Sequence, residues 1–133
     1  MKLVVLGANG RTGRNVVRLA LERGAYVTAV VRSEDKRLDI QHAHLATKIG
    51  DPCDPRFLVA VFAGQDVAIS TLGGRSPTRK ATSIYPRSAE AIVKAAQETG
   101  LRKVIVTSSA LLFPHRTALN KLLKIAVGNV VRS

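Results

Sequence analysis

Residues 1–13, MKLVVLGANGRTG, constrain this chain more than any other stretch. Leu3, Val4, Val5 and Leu6 form a short apolar run, three glycines follow at Gly7, Gly10 and Gly13, and residues 15–23 carry the amphipathic pattern of a helix. Strand, glycine turn and helix in that order make a dinucleotide-phosphate site. Gly7 suits a turn too tight for a side chain, Gly10 a backbone that approaches a pyrophosphate, and Gly13 a helix packed close on its strand. The first helical amides, near Arg11 and Thr12, have no intrahelical partner and carry the positive end of the helix dipole. With Asn9 in the same turn, they are the candidate phosphate ligands. An ordinary glycine-rich βα turn is the alternative reading of the same residues.

The rest of the chain alternates in the same way. Residues 26–31 (YVTAVV) predict the second strand, and residues 34–38 a short helical turn with Ser33 as its cap. A brief third strand is expected over 47–49, stopped by Gly50-Asp51-Pro52. A helix over 55–62 begins with Pro55 in its first turn. The fourth strand covers 67–71 and breaks at Gly73-Gly74, and residues 75–86 read as a basic loop. The helix over 88–99 has Ala89, Ile92, Val93 and Ala96 on one face and Gly100 as its stop. The fifth strand covers 103–107, Ser108 and Ser109 follow it, and residues 117–130 read as a last helix. Apolar strands alternating with helices predict an α/β fold. It is a single Rossmann domain over residues 1–133, with a parallel, doubly wound sheet of strand order 3-2-1-4-5.

Composition narrows the function classes. The chain has 133 residues, 46% of them hydrophobic, enough for one packed core. A single cysteine, Cys53, permits no internal disulfide and fits a reducing compartment. The apolar start is too short for a signal peptide and no window has the length of a membrane span, so a cytoplasmic protein without membrane attachment is expected. Lys and Arg number 21 against 9 acids, a formal charge of +12, and no acid follows Glu98. Such a surface attracts polyanions. Aromatics are only 4% and Trp is absent, which disfavours nucleic acid as the partner and assigns the charge to solvated surface and a cofactor groove.

Arg32 is the most informative single residue. An Asp or Glu about 20 residues past the glycines accepts the adenosine ribose hydroxyls in NAD-binding Rossmann sites. Here Arg32 stands at that place with Ser33 beside it. A guanidinium cannot accept a hydroxyl, but it pairs with a 2′-phosphate, so the expected cofactor is NADP(H). Arg11 would add to that phosphate. A solvated arginine at a strand end is the alternative. Two other features carry little: His42 and His44 lack a third ligand at metal-binding spacing, and Cys53 has no activating base nearby in sequence.

Taken together, LGANGRTG, the strand ending VVR, Gly50-Asp51, STLGG at 70–74 and VIVTSSA at 104–110 resemble the atypical short-chain dehydrogenase/reductases. The branch nearest in pattern holds the flavin reductase that also reduces biliverdin-IXβ and its NAD(P)H-binding relatives; the nitrogen-metabolite-repression regulators share the N-terminal pattern. The resemblance runs from Lys2 to about Phe113. It implies Asp51 near the adenine amino group, with a plain Gly-Asp-Pro turn as the alternative. The backbone of Leu72, Gly73 and Gly74 would lie against the cofactor ribose with no side chain in the way, and Arg75 would occupy a basic position near the pyrophosphate and nicotinamide, with a solvated loop charge as the alternative. Ser109, with Ser108 beside it, would position substrate or nicotinamide; two hydroxyls satisfying the backbone at a strand end are the alternative. The Tyr-x-x-x-Lys pair of other short-chain members is missing, since Tyr85 is followed four residues on by Ala89 and Tyr26 by Val30. Hydride would then pass directly to a small conjugated acceptor such as a flavin or quinone. A non-catalytic NADP sensor acting through a protein partner is the alternative.

The family continues beyond the point matched by Ser133, so the chain is expected to be its cofactor half, lacking the C-terminal portion that covers substrate. Leu119, Leu122, Leu123, Ala126, Val127 and Val130 share one face of the expected last helix. Each larger side chain there contributes roughly 1.5–3 kcal/mol when buried. The sheet, the remainder of a longer chain or a second subunit in a homodimer would cover that stripe.

Overall fold

The computed structural model describes residues 1–73 and 83–107. Expectations for Gly74, Arg75, Ser108, Ser109 and the helix over 117–130 lie outside the described residues.

Five strands form one parallel sheet: β1 (Lys2–Leu6), β2 (Tyr26–Val31), β3 (Leu45–Ile49), β4 (Val67–Ser70) and β5 (Lys103–Val106). Their order is β3-β2-β1-β4-β5, as the alternating pattern predicts. Among the described residues three helices connect them: α1 (Arg11–Glu22), α2 (Pro55–Phe62) and α3 (Ile84–Thr99), with a 3-10 turn at Glu34–Lys36.

Strand side chains alternate between faces, so a strand covered on both sides must be apolar at every position. β1 shows this directly. Leu3 and Val5 pack with Val17 and Leu21 of α1, while Val4 and Leu6 pack with Leu58 and Phe62 of α2 and Ile92 and Ala95 of α3. At about 1.5–3 kcal/mol per large side chain, burial of this set accounts for the central strands. β3 and β5, at the two ends of the strand order, are the more exposed strands.

Several boundaries differ from those expected, each for a local reason. α1 starts at Arg11, not at 15, because Gly10 takes extended backbone and the chain turns helical at once. Arg11, Thr12 and Arg14 face solvent, so no apolar repeat marks that turn. α3 starts at Ile84, four residues before the expected start, with Pro86 in its first turn, where a missing N–H costs nothing. Its buried face is Ser88, Ala91, Ile92, Ala95 and Ala96; Ala89 and Val93 are only half-buried. Packing on both α2 and the sheet rotates the contact toward the small alanines. β3 begins at Leu45, while β4 and β5 each end one residue early. The residues left over at those two ends, Thr71 and Thr107, tie adjacent strands together. α2 matches its expected span, and its cap is Asp54, whose carboxylate accepts the Arg56 N–H at 3.0 Å.

Candidate functional site

The strand order reverses between β1 and β4, which opens a crevice at the carboxyl ends of the strands. Ligands of doubly wound sheets bind at such a point. The first element there is the turn joining β1 to α1. Gly7 has φ +75°, a conformation that favours glycine, and a Cβ on it would meet the Thr71 carbonyl carbon at 3.1 Å. Thr71 explains that closeness: its hydroxyl donates to the Leu6 carbonyl at 2.9 Å and to the Gly7 carbonyl at 3.1 Å. Sequence reasoning gave Thr71 no role, and its place directly after a strand in STLGG was the available signal.

The turn closes with the Gly10 N–H donating to the Gly7 carbonyl at 3.0 Å. Gly13 lies buried under it. A Cβ at Gly13 would stand 2.2 Å from the Gly7 carbonyl oxygen and 2.8 Å from the Ala8 Cα, so only glycine lets α1 approach β1 this closely. Gly10 carries no capping side chain and the first turn contains no acid. Among the described residues, the N–H groups of Arg11, Thr12 and Gly13 make no hydrogen bond. They form the positive pole that an anion would take up. Asn9 is held beside them: Arg14 Nε donates to the Asn9 carbonyl at 3.0 Å, and its guanidinium also grips the Asn9 Oδ1. Arg14 too was absent from the sequence-derived candidates.

At the end of β2, Arg32 is exposed and makes no ion pair among the described residues. The acids that follow it are already engaged. Glu34 pairs with Arg37, and Asp35 with Lys36 at 3.2 Å. The Ser33 hydroxyl donates to Asp35 Oδ1 at 2.5 Å; it does not cap the 3-10 turn as expected. That bond, helped by Lys36, holds the Asp35 carboxyl below its ordinary pKa. Ser33 is therefore committed to its own turn, and Arg32 is the free cation of the pair.

After β3, Asp51 Oδ1 accepts the Cys53 N–H at 2.8 Å, the geometry of an Asp-Pro turn. A carboxylate accepts several hydrogen bonds, so this turn leaves Asp51 capacity for a ligand. Burial, followed by the Asp51 charge, pushes the Cys53 thiol pKa up; Arg87 and Arg32 pull weakly the other way. Leu72 is half-buried and Gly73 exposed after β4, and a Cβ on Gly73 would come within 3.1 Å of the Tyr85 hydroxyl. At the end of β5, the Thr107 N–H donates to the Ser70 carbonyl at 2.9 Å. Thus Gly7, Asn9, Gly10, Arg11, Thr12, Gly13, Arg32, Ser33, Asp51, Leu72 and Gly73 all gather at the carboxyl ends of four adjacent strands. His42 and His44 lie at the opposite end, where His44 stacks on Tyr26 with ring centroids 4.1 Å apart. Among the described residues no group of three or more His, Cys, Asp or Glu is placed to hold a metal, and no helix is long and apolar enough to cross a membrane.

Comparison with known proteins agrees with this geometry. Residues 7–131 match the family model described as NAD(P)H-binding. The photosystem II assembly factor Ycf39 of Cyanophora paradoxa is 32% identical over 111 residues, covering 81% of this chain and 34% of that protein. Its counterpart in Synechocystis is 26% identical, covering 81% and 33%. The chain therefore spans about a third of the length of these curated relatives. Among solved structures, the oxidoreductase ylbE of Lactococcus lactis superposes with TM-score 0.71 at 20% identity, covering 96% of this chain and 58% of that one. The Bordetella bronchiseptica enzyme WbmH, solved in complex with NAD+, gives TM-score 0.70 at 21% identity, covering 83% and 39%. At these identities the two structures establish the fold.

Proposed function

The chain belongs to the NAD(P)H-binding family, and on that premise we propose that it is an NADP(H)-dependent oxidoreductase of the atypical short-chain type. The observation that carries the cofactor choice is Arg32, left without an ion pair at the end of β2 while Glu34 and Asp35 are taken up by their neighbours. The site fits a dinucleotide in its own geometry: a glycine cradle that a Cβ would fill, and unpaired amides at the start of α1. Those amides bind the pyrophosphate, Arg32 and Arg11 the 2′-phosphate, and Asp51 accepts from the adenine. Leu72 and Gly73 leave room for the ribose, with Arg75 near the pyrophosphate and nicotinamide.

When bound, the cofactor supplies hydride from C4 of its nicotinamide to a small conjugated acceptor, a flavin or a quinone. Ser109, with Ser108 beside it, orients the nicotinamide or the acceptor. A homodimer formed through the apolar stripe at 119–130 is part of the proposal. The protein works in the cytoplasm, and nucleic acid is not its partner.

A second reading has its own support: the 32%-identical relative is an assembly factor. On that reading the chain binds NADP(H) and acts through a protein partner without turning over.

Oxidation of NADPH, followed at 340 nm with flavins and quinones as acceptors, separates the two. Turnover with at least one acceptor is expected. Tight NADPH binding with no oxidation by any acceptor would favour the sensor.

A further inference from the structure

We propose that Arg87, on the first turns of α3, is a second specificity-determining residue, which joins Arg32 in binding the 2′-phosphate of NADP(H). The inference rests on the NADP(H) assignment above and adds a residue to it.

Topology brings the two arginines to one place. α2 follows β3 and α3 follows β4, so both helices begin at the carboxyl end of the sheet. They pack side by side through Leu58, Val61 and Phe62 of α2 and Ala91 and Ala95 of α3. Arg87 lies one helical turn before Ala91, on the flank that continues toward the start of α2 and the Asp51–Cys53 turn. Arg32 reaches the same turn from the other side, since β2 and β3 are paired through Val31 and Ile49 and the Gly50 N–H donates to the Val31 carbonyl at 3.0 Å. The electrostatics agree with this placement: Arg87 and Arg32 both pull the Cys53 thiol pKa down, against the larger effects of burial and Asp51.

The charge balance there is incomplete. Arg87, like Arg32, has no ion pair among the described residues. Glu90, the acid one turn further along α3, is taken by Lys94 at 3.4 Å. Asp51 is the acid that acts on the Cys53 thiol, and one of its oxygens already accepts the Cys53 N–H. Two guanidiniums without ion pairs, set about a turn that offers a single carboxylate, suit a dianionic group, and a 2′-phosphate is such a group. The unphosphorylated ribose of NAD(H) offers Arg87 no anion, so its effect falls on one cofactor of the pair.

The test is calorimetric titration of the whole chain and its Arg87→Gln variant with NADPH, NADH and adenosine 2′,5′-bisphosphate. Arg87→Gln is expected to weaken NADPH and the bisphosphate by about tenfold and to leave NADH within about twofold. Arg87→Lys should recover part of the loss. Should the glutamine variant fail to fold, Arg87→Met keeps the stem and serves in its place. Equal weakening of NADPH and NADH, or no change in either, overturns the role of Arg87. A wild-type chain that binds NADH as tightly as NADPH overturns the cofactor assignment and this inference with it. A wild-type preference for NADPH that Arg32→Asp erases and Arg87→Gln does not overturns only the inference.

Discussion

Gly13 sits so close beneath Gly7 that a Cβ on it would lie 2.2 Å from the Gly7 carbonyl oxygen. The obstacle is backbone, and the turn that carries it is bolted to β4 through Thr71, so no side chain can swing aside. Gly13→Ala must push α1 off β1. A cost of about 1–3 kcal/mol is expected, as for an overpacked core. NADPH affinity should fall as well, because the displaced amides are the proposed phosphate ligands. Urea unfolding with and without NADPH measures both; an alanine variant with unchanged midpoint and affinity would refute the packing argument.

Gly50 presents a softer version of the same constraint. A Cβ there would meet the Phe57 ring at 2.4 to 2.6 Å, but the ring is a half-buried side chain that can move. Gly50→Ala should therefore be destabilising, by about 1–2 kcal/mol. With Phe57→Ala already in place, the same glycine change should cost much less. A double-mutant cycle reads this coupling directly. Simple additivity would contradict it.

Asp54 caps α2, and replacing it by Ala should cost about 1 kcal/mol, read as a lower denaturation midpoint. Asp54→Asn keeps an acceptor and should recover most of that. An equal loss for both would show that the cap hydrogen bond is not the cause.

Cys53 reports on the charges around the proposed adenosine end. Burial and Asp51 raise its pKa, so the thiolate is scarce and iodoacetamide should react more slowly than with a free cysteine near neutral pH. A group whose pKa rises on folding contributes stability at low pH and loses it as pH passes upward through the folded value. The Cys53 contribution is thus present at neutral pH and fades only in the alkaline range. Asp51→Asn should move the midpoint of the alkylation profile down, and Arg87→Gln should move it up. A profile that neither variant shifts would remove both charges from the thiol's surroundings.

The sequence carried the fold because its signals were local. A four-residue apolar run before three glycines needed no tertiary knowledge, and the spans of β2 and α2 followed from β-branched runs and from Pro55. Legibility failed where packing decided. The buried face of α3 is set by α2 and the sheet together, so Ala91 and Ala95 displaced the predicted Ala89 and Val93. Ser33 looked like a cap because serine precedes a helical turn, yet the nearer carboxylate of Asp35 captured its hydroxyl. Arg14 went unread for a similar reason: its hold on Asn9 depends on which backbone lies across from it, and no spacing in the chain encodes that. Thr71 left one sign, its place directly after a strand, while the role proposed for Arg87 depends on the turn that packing brings beside it.

The central claim is that Arg32 selects NADP(H), and calorimetry on the wild-type chain and Arg32→Asp tests it most directly. A charge-assisted hydrogen bond contributes about 1.5–3 kcal/mol, so the wild type should bind NADPH roughly ten- to a hundredfold more tightly than NADH. Arg32→Asp should abolish that preference by weakening NADPH while leaving NADH binding in place. An unchanged NADPH affinity in the variant would contradict the claim.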